Sequence, residues 1–336
     1  MWYQRRLLAA YRQRRISRLP LHVQLARRGM SNVQALTPYR THRPSNFKGS
    51  PIVHSFFDDA TSTWTFVVAD PQTKCAMIID PVLDYDQASG GTSMTTAQGL
   101  AAFTRDAQYE VVRVMETHVH ADHATAAFAL KTLLPGSVPT YIGRKVEQVQ
   151  QTFASIYGFK KSDFMDCFDG FVDDGDELKL GELTVQIWSL PGHTPDSMGF
   201  LVGDCLFAGD SLFLPDVGTA RADFPGGSAE SLFNSGQLVM RLAGNSRVFS
   251  GHDYPVGREK SCMSLVSEQS RSNKHVGGGT TLEEFTKMRD ERDAQLGTPR
   301  LFHAAMQINL RGGRMPLPDA EGRRFIRTPL NGKFPL

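Results

Sequence analysis

Apolar positions along the chain fall into short runs that are either alternating or continuous, divided by glycine, proline and acidic residues. Residues 54–56 and 64–68 alternate as half-buried strands do, and 75–79 (Cys75, Ala76, Met77, Ile78, Ile79) form a third strand closed by Asp80 and Pro81. Residues 82–95 are polar and read as a loop, 96–107 as a helix, and the β-branched run 111–115 as a buried central strand. A helix is predicted over 124–134, stopped by Pro135 and Gly136, followed by a short strand at 140–142 and a helix over 144–156. Residues 171–180 read as acidic turn material. Strands follow at 183–188, 198–202, 205–208 and 247–250, and Ser228 is placed to cap a helix reaching 243. Beyond residue 256 the pattern weakens to a Gly277-Gly278-Gly279 loop, read as a linker, a helix from Thr281, and a proline-rich tail.

Candidate chemistry sits where these strands end. After the run 111–115 come Glu116, Thr117, His118, Val119, His120, Ala121, Asp122 and His123, with four ligand-type side chains within six residues. His118 and His120, two apart, project to one side of an extended segment, while Asp122 and His123 lie where the next helix turns back toward the same point. Imidazole suits zinc or ferrous iron, and a carboxylate beside it widens the choice. The same arrangement recurs: a strand, a glycine or turn, then His193, Asp210 or His252. Ligands from four strand ends can converge on one sheet edge. His22, His42, His54, His275 and His303 lack such neighbours, and Cys205 reads as a small buried apolar residue in a hairpin.

Composition changes the picture at the N-terminus. The formal charge of +2 hides ten arginines and no acidic residue in residues 1–46, so residues 47–336 carry 27 basic against 35 acidic side chains, a net −8. That body argues against binding nucleic acid through phosphate contacts, and no apolar run approaches the ~20 residues of a membrane span. The arginine-rich, acid-free segment, with Leu7, Leu8 and Tyr11 along one helical face, reads as a mitochondrial transit peptide or else a basic tail. Four cysteines without C-x-x-C spacing fit a reducing compartment. The expected organisation is residues 1–46 as leader or tail, 47–255 as the main domain, and 256–336 as an extension packed on it.

The set His118, His120, Asp122, His123, His193, Asp210 and His252 resembles the H-x-H-x-D-H signature and later ligands of the metallo-β-lactamase superfamily over roughly residues 50–255. That resemblance implies an α/β fold, an αββα sandwich with metal at one edge of two sheets. Residues 190–197, 207–213 and 251–254 look like the glyoxalase II and persulfide dioxygenase branches. Ala220-Arg221-Ala222-Asp223-Phe224 resembles the G-R-T-D-F segment of the dioxygenases, with alanines replacing the glycine and threonine, and His252-Asp253-Tyr254 resembles their H-D-Y where glyoxalase II has H-E-Y. The extension, with Glu268-Gln269-Ser270 and Gln307-Ile308-Asn309, is similar to the β-lactamase-hydrolase-like proteins, a sulfur-dioxygenase-related group.

What the resemblance implies is oxidation of a glutathione-type persulfide to sulfite at one Fe(II) held by His118, His193 and Asp210. His120, Asp122, His123 and His252 then orient those ligands, and Arg221 and Tyr254 grip the thiol carrier. The alternative it leaves open is a thioester hydrolase with two Zn(II), in which His118, His120 and His193 hold one ion, Asp122, His123 and His252 the other, and Asp210 bridges. A homodimer is compatible with either.

Overall fold

The computed structural model describes residues 33–330; most of the predicted leader, residues 1–32, lies outside the described residues. Two sheets form the centre. The first has seven strands in the order β1 (Arg40–His42), β2 (Ile52–Asp58), β3 (Thr63–Ala69), β4 (Cys75–Ile79), β7 (Glu110–Met115), β8 (Thr140–Gly143), β9 (Gly170–Val172). The second has six, β10 (Glu177–Leu180), β11 (Leu183–Ser189), β12 (Met198–Val202), β13 (Cys205–Phe207), β14 (Arg247–Phe249) and β15 (Met263–Leu265). A small ribbon, β5 (Asp84–Tyr85) with β6 (Thr92–Ser93), interrupts the segment read as loop.

The layers follow from which face each strand buries. On β3, Trp64, Phe66 and Val68 point between the sheets, where they meet Phe200, Phe207 and Phe249, while Val67 and Ala69 point outward. The outer face is covered by α1 (Thr95–Asp106) and α2 (Ala127–Leu133), so β3 is buried on both sides and its predicted half-buried character gives way to a continuous apolar run. Helix α4 (Ala229–Val239) and α6 (Leu282–Asp293) cover the second sheet, where Leu232 and Phe285 join Leu206 and Val248. The result is the αββα sandwich, with α3 (Val146–Tyr157) closing one end through Val149 and Phe153.

Several boundaries move for physical reasons. Strand β1 falls inside the arginine-rich segment, because Arg40 to His42 pair antiparallel with Val53 to Ser55 and extend the sheet edge. Residues 171–180, read as acidic turn, contribute β9 and β10; Leu178 and Leu180 alternate inward and β10 pairs with β11 across a tight turn at Gly181. The helix expected from 124 begins at Ala127, since Thr125 is drawn into a bridge with Val82 and its hydroxyl accepts from the Ala127 N–H at 3.0 Å. The helix capped by Ser228 ends at Val239 rather than 243. Residues 256–336 supply the edge strand β15, α5 (Val266–Ser272), α6 and α7 (Phe302–Asn309), so they complete the second sheet as well as packing on it. No helix among the described residues is long and apolar enough to cross a membrane.

Candidate metal centre

The seven predicted ligand residues come together at the edge where β4, β7, β11, β13 and β14 end. Three side chains from distant places pin the loop that carries four of them. Asp80, at the end of β4, accepts from the Thr117 N–H and hydroxyl, both at 2.7 Å; Asp196 accepts from the Val119 N–H at 2.9 Å. Asn309 donates to the carbonyls of His120 and His123. On the second sheet, Gly192 precedes His193 with φ +138°, and a Cβ there would lie 2.2 Å from the Leu232 N, so only glycine lets the loop pass under α4.

Hydrogen bonds fix which nitrogen each imidazole presents. The Thr117 hydroxyl spends its hydrogen on Asp80, so the His118 Nδ1–H is the donor in their 3.0 Å contact and Nε2 keeps a lone pair. His193 donates from Nδ1 to the Arg221 carbonyl at 2.8 Å, His252 to the Ser62 carbonyl at 3.0 Å, and His123 to the Ala124 carbonyl at 3.3 Å. His120 is reversed and held by charge rather than by an aligned hydrogen bond: its Nε2 lies 3.1 Å from Asp80 and 3.3 Å from Glu116, so Nδ1 is the nitrogen turned inward. Orienting bonds of this kind on the far nitrogen are what metal-bound imidazoles require.

The inward atoms converge. His118, His193 and Asp210 each offer a ligand atom with all three within 4.8 Å of one another, and so do His120, Asp122 and His123. Asp210 Oδ2 stands 4.0 Å from His118 Nε2, 3.8 Å from His193 Nε2 and 3.5 Å from His252 Nε2, and His252 Nε2 is 3.2 Å from Asp122. Nε2 of His118 and His123, both ring nitrogens of His120 and Oδ1 of Asp210 are buried without a hydrogen-bond partner. Buried polar atoms are costly when unpaired, so this group of inward-facing nitrogens and oxygen fits a cation.

Charge follows burial. Burial, with the neighbouring imidazoles, holds His118 well below the usual histidine value and His123 down to about 3, the neutral form a metal binds. Burial also opposes charge on His120, but Asp80 and Glu116 outweigh it and hold that ring well above the usual value, so a cation at Nδ1 would have to displace a proton. Burial pushes Glu116 up to about 6, while His120 and Thr117 outweigh burial and hold Asp80 below the usual carboxylate value, so Asp80 is the last of the two to take up a proton as pH falls. For Asp122 burial is outweighed by His252 and His123, bringing it to about 2, while burial raises Asp210. Solvent reaches the cluster over Asp122, 29% exposed, whereas the His118 and His252 side chains are 1% exposed.

The two predicted substrate groups differ in how far their polar ends are already engaged. Tyr254 is half exposed, stacks on His252 with planes 9° apart, and meets Phe213 edge-on. Arg221 has its fork on Asp223, two contacts of 2.5 Å, and donates to the Gly297 carbonyl at 2.7 Å, so its guanidinium is already paired. Sequence reasoning missed Asp80, Glu116, Asp196, Arg258 and Asn309 as parts of the centre. Arg258 bridges buried Asp253, beside His252, to Asp216, on the loop after Asp210. Two of these had a signal: Asp80 closes a strand beside the ligand strand, and Glu116 opens the ligand run. The expected bland readings of His54, His275 and His303 correspond to ordinary hydrogen bonds, and Cys205 is fully buried with its thiol pushed up by burial.

Two sheets sandwiched by helices, with a histidine and aspartate cluster at one sheet edge, define an αββα metal-site protein. The sequence model of the Metallo-beta-lactamase superfamily matches residues 58–252, and the chain belongs to that superfamily. It is 41% identical over 284 residues to the beta-lactamase hydrolase-like protein of Xylella fastidiosa strain 9a5c, a match covering 84% of this chain and 65% of that protein. Thus the chain spans about 65% of the length of these first relatives. Glyoxylase B2 of Dictyostelium discoideum is 40% identical, with 81% of this chain and 94% of that protein covered. Bovine mitochondrial persulfide dioxygenase ETHE1 is 28% identical, with 81% and 92% covered. Among solved structures, ETHE1 from Myxococcus xanthus superposes with a TM-score of 0.64 at 29% identity, covering 78% of this chain and all of that one.

Proposed function

We propose that this chain is a persulfide dioxygenase using one ferrous iron and a glutathione-type persulfide. The observation that carries the reading is the set His118, His193 and Asp210, two imidazoles and one carboxylate converging from three strand ends, which suits non-haem Fe(II). Similarity to persulfide dioxygenases over 81% of the chain supports it. Iron held there would supply the chemistry with dioxygen. The Arg221 carbonyl and Thr117 hydroxyl keep the two imidazoles turned with Nε2 inward, so the site stays formed while substrate enters. Tyr254 and Phe213, packed beside His252, offer an aromatic wall against which the carrier would lie, and Arg221 is the cation proposed to meet its carboxylate. Overall the terminal sulfur leaves as sulfite, with two oxygens from dioxygen and one from water, and the carrier thiol is restored.

A two-metal thioester hydrolase has its own supporting observation. Asp210 Oδ2 is nearly equidistant from His118, His193 and His252, as a bridging carboxylate would be, and the glyoxylase-named relative has the higher identity. Metal analysis of protein isolated without added metal, paired with assay, separates the two. The dioxygenase reading expects about one iron per chain, oxygen uptake with glutathione persulfide and little hydrolysis of a glutathione thioester. About two zinc ions per chain and rapid thioester hydrolysis without oxygen uptake would overturn it.

A further inference from the structure

Helix α7 lies 184 to 189 residues from the ligand loop in sequence, yet the side chain of Asn309, 3% exposed, spends itself on that loop. Its Nδ2 donates to the carbonyls of His120 at 2.8 Å and His123 at 2.7 Å, and its Oδ1 accepts from the Thr125 N–H at 2.9 Å. A planar amide with both ends committed holds three backbone groups in one fixed relation, and these groups bracket Asp122. The apolar side chains of the same helix do matching work. Met306 and Leu310 pack with Val119 and Ala121, while Ile308 packs with Ala124 and Ala126, so the helix grips the loop from both sides. Just past it, Gly312 sits at φ +62° with its Cβ position 2.2 Å from the Cys167 carbonyl, a fit that only glycine allows.

We infer that Asn309 is a positioning residue of the metal centre, coupling occupation of the centre to docking of α7 through the loop that carries His118, His120, Asp122 and His123. The inference rests on reading the seven side chains as a metal centre and is independent of the choice between dioxygenase and hydrolase. Imidazole direction follows backbone torsion, and a carbonyl freed from Asn309 lets the peptides on either side of Asp122 rotate. Groups that orient ligands without touching the metal typically contribute 10–100-fold in affinity. By linkage, metal binding must in turn favour the docked helix.

The test titrates metal-stripped full-length protein with Co(II), reading affinity and the ligand-field absorption bands. Asn309→Asp keeps shape and the acceptor for Thr125 but replaces the two donors by an oxygen. It should bind Co(II) about 10-fold or more weaker with shifted bands. Gln307→Ala is the control: the Gln307 side chain bonds to residues 303 and 327 and not to the ligand loop, and its loss should lower Tm while leaving affinity and bands as in the parent. In the unmutated protein, Co(II) should slow amide exchange across 302–313 more than across α1. Parent-like affinity and bands in Asn309→Asp overturn the inference, as does exchange slowed at 118–125 but not at 302–313, which reads out even if the variant fails to fold. A parent that binds no Co(II) would overturn the metal-centre reading itself, and this inference with it.

Discussion

Two groups of buried histidines lie in different regions of this molecule, and their surroundings differ in one respect. On the first sheet, away from the ligand edge, His54 has both nitrogens satisfied, Nδ1 by the Thr41 hydroxyl at 2.9 Å and Nε2 by the Tyr109 hydroxyl at 2.7 Å. At the ligand edge each ring has one nitrogen turned to a protein oxygen and the other turned inward with its neighbours. The burial is similar. What separates a packing histidine from a ligand is the unspent lone pair, and the unspent pairs gather in one place because four strand ends do.

The sharpest way to break that contrast is to remove the group common to the ligand region. Asp210→Ala takes away the carboxylate within 4.0 Å of three imidazoles, so bound metal should fall more than about 100-fold in affinity, beyond the range for groups that only orient ligands. The check is metal content after desalting. Retention of parent-level metal would place the ion elsewhere.

Next in size is the split between the two halves of the centre. On the one-metal reading His118→Ala and His193→Ala should each lose most of the bound metal, while His120→Ala should keep much of it with altered turnover, since His118 and His193 group with Asp210 and His120 groups with Asp122 and His123. Equal loss from His120→Ala would make that ring a direct ligand and favour the two-metal hydrolase.

How much of this was legible in the sequence follows the same line. The strand ends announced His118, His193, Asp210 and His252 because each ligand is delivered by its own local element. Asp80 and Glu116 stood at positions with a signal, yet the sequence does not say what they touch: Asp80 reaches His120 only once β4 and β7 pair in parallel, and Glu116 reaches it only through the turn of the ligand loop. Asn309 was invisible as a partner of the ligand loop for the same reason at longer range. The weak pattern over 256–336 hid β15, because a three-residue edge strand has almost no periodicity to read. Arginines at 40 and 43 masked β1, although the strand's pairing is made by backbone groups that composition does not report.

A third expectation concerns pH and the packing group. Burial, aided by Lys74, lowers His54 to about 4 from the ordinary 6.5, so the folded protein keeps this ring neutral while the unfolded chain protonates it below 6.5. Stability is then unaffected by His54 above 6.5 and falls as pH drops from 6.5 toward 4. The contribution is about 1–3 kcal/mol, taken below the full linkage value because the ring is not completely enclosed. His54→Gln should flatten the acid limb of a denaturant-melt series between pH 7 and 4.5 by that amount, whatever its effect at pH 7. An unchanged slope would mean that His54 is not held neutral.

The smallest expected effect belongs to Arg221, where the contrast between spent and unspent groups applies to a cation. If Arg221 grips a carboxylate of the carrier, as the dioxygenase reading proposes, that carboxylate must take the place of Asp223, which already occupies the fork. One carboxylate is exchanged for another, so the gain is the difference of two similar terms. It should resemble a surface ion pair, ~0–1 kcal/mol, or up to about fivefold in KM for glutathione persulfide. Asp223→Asn frees the fork at little cost in shape and should lower KM, whereas Arg221→Ala should raise it, with iron content unchanged in both. If instead the guanidinium serves only to tie its loop to Gly297, both variants should lower Tm and neither should move KM. Opposite shifts in KM for the two partners of one ion pair are the signature of competition between Asp223 and substrate, and loss of structure alone does not produce them.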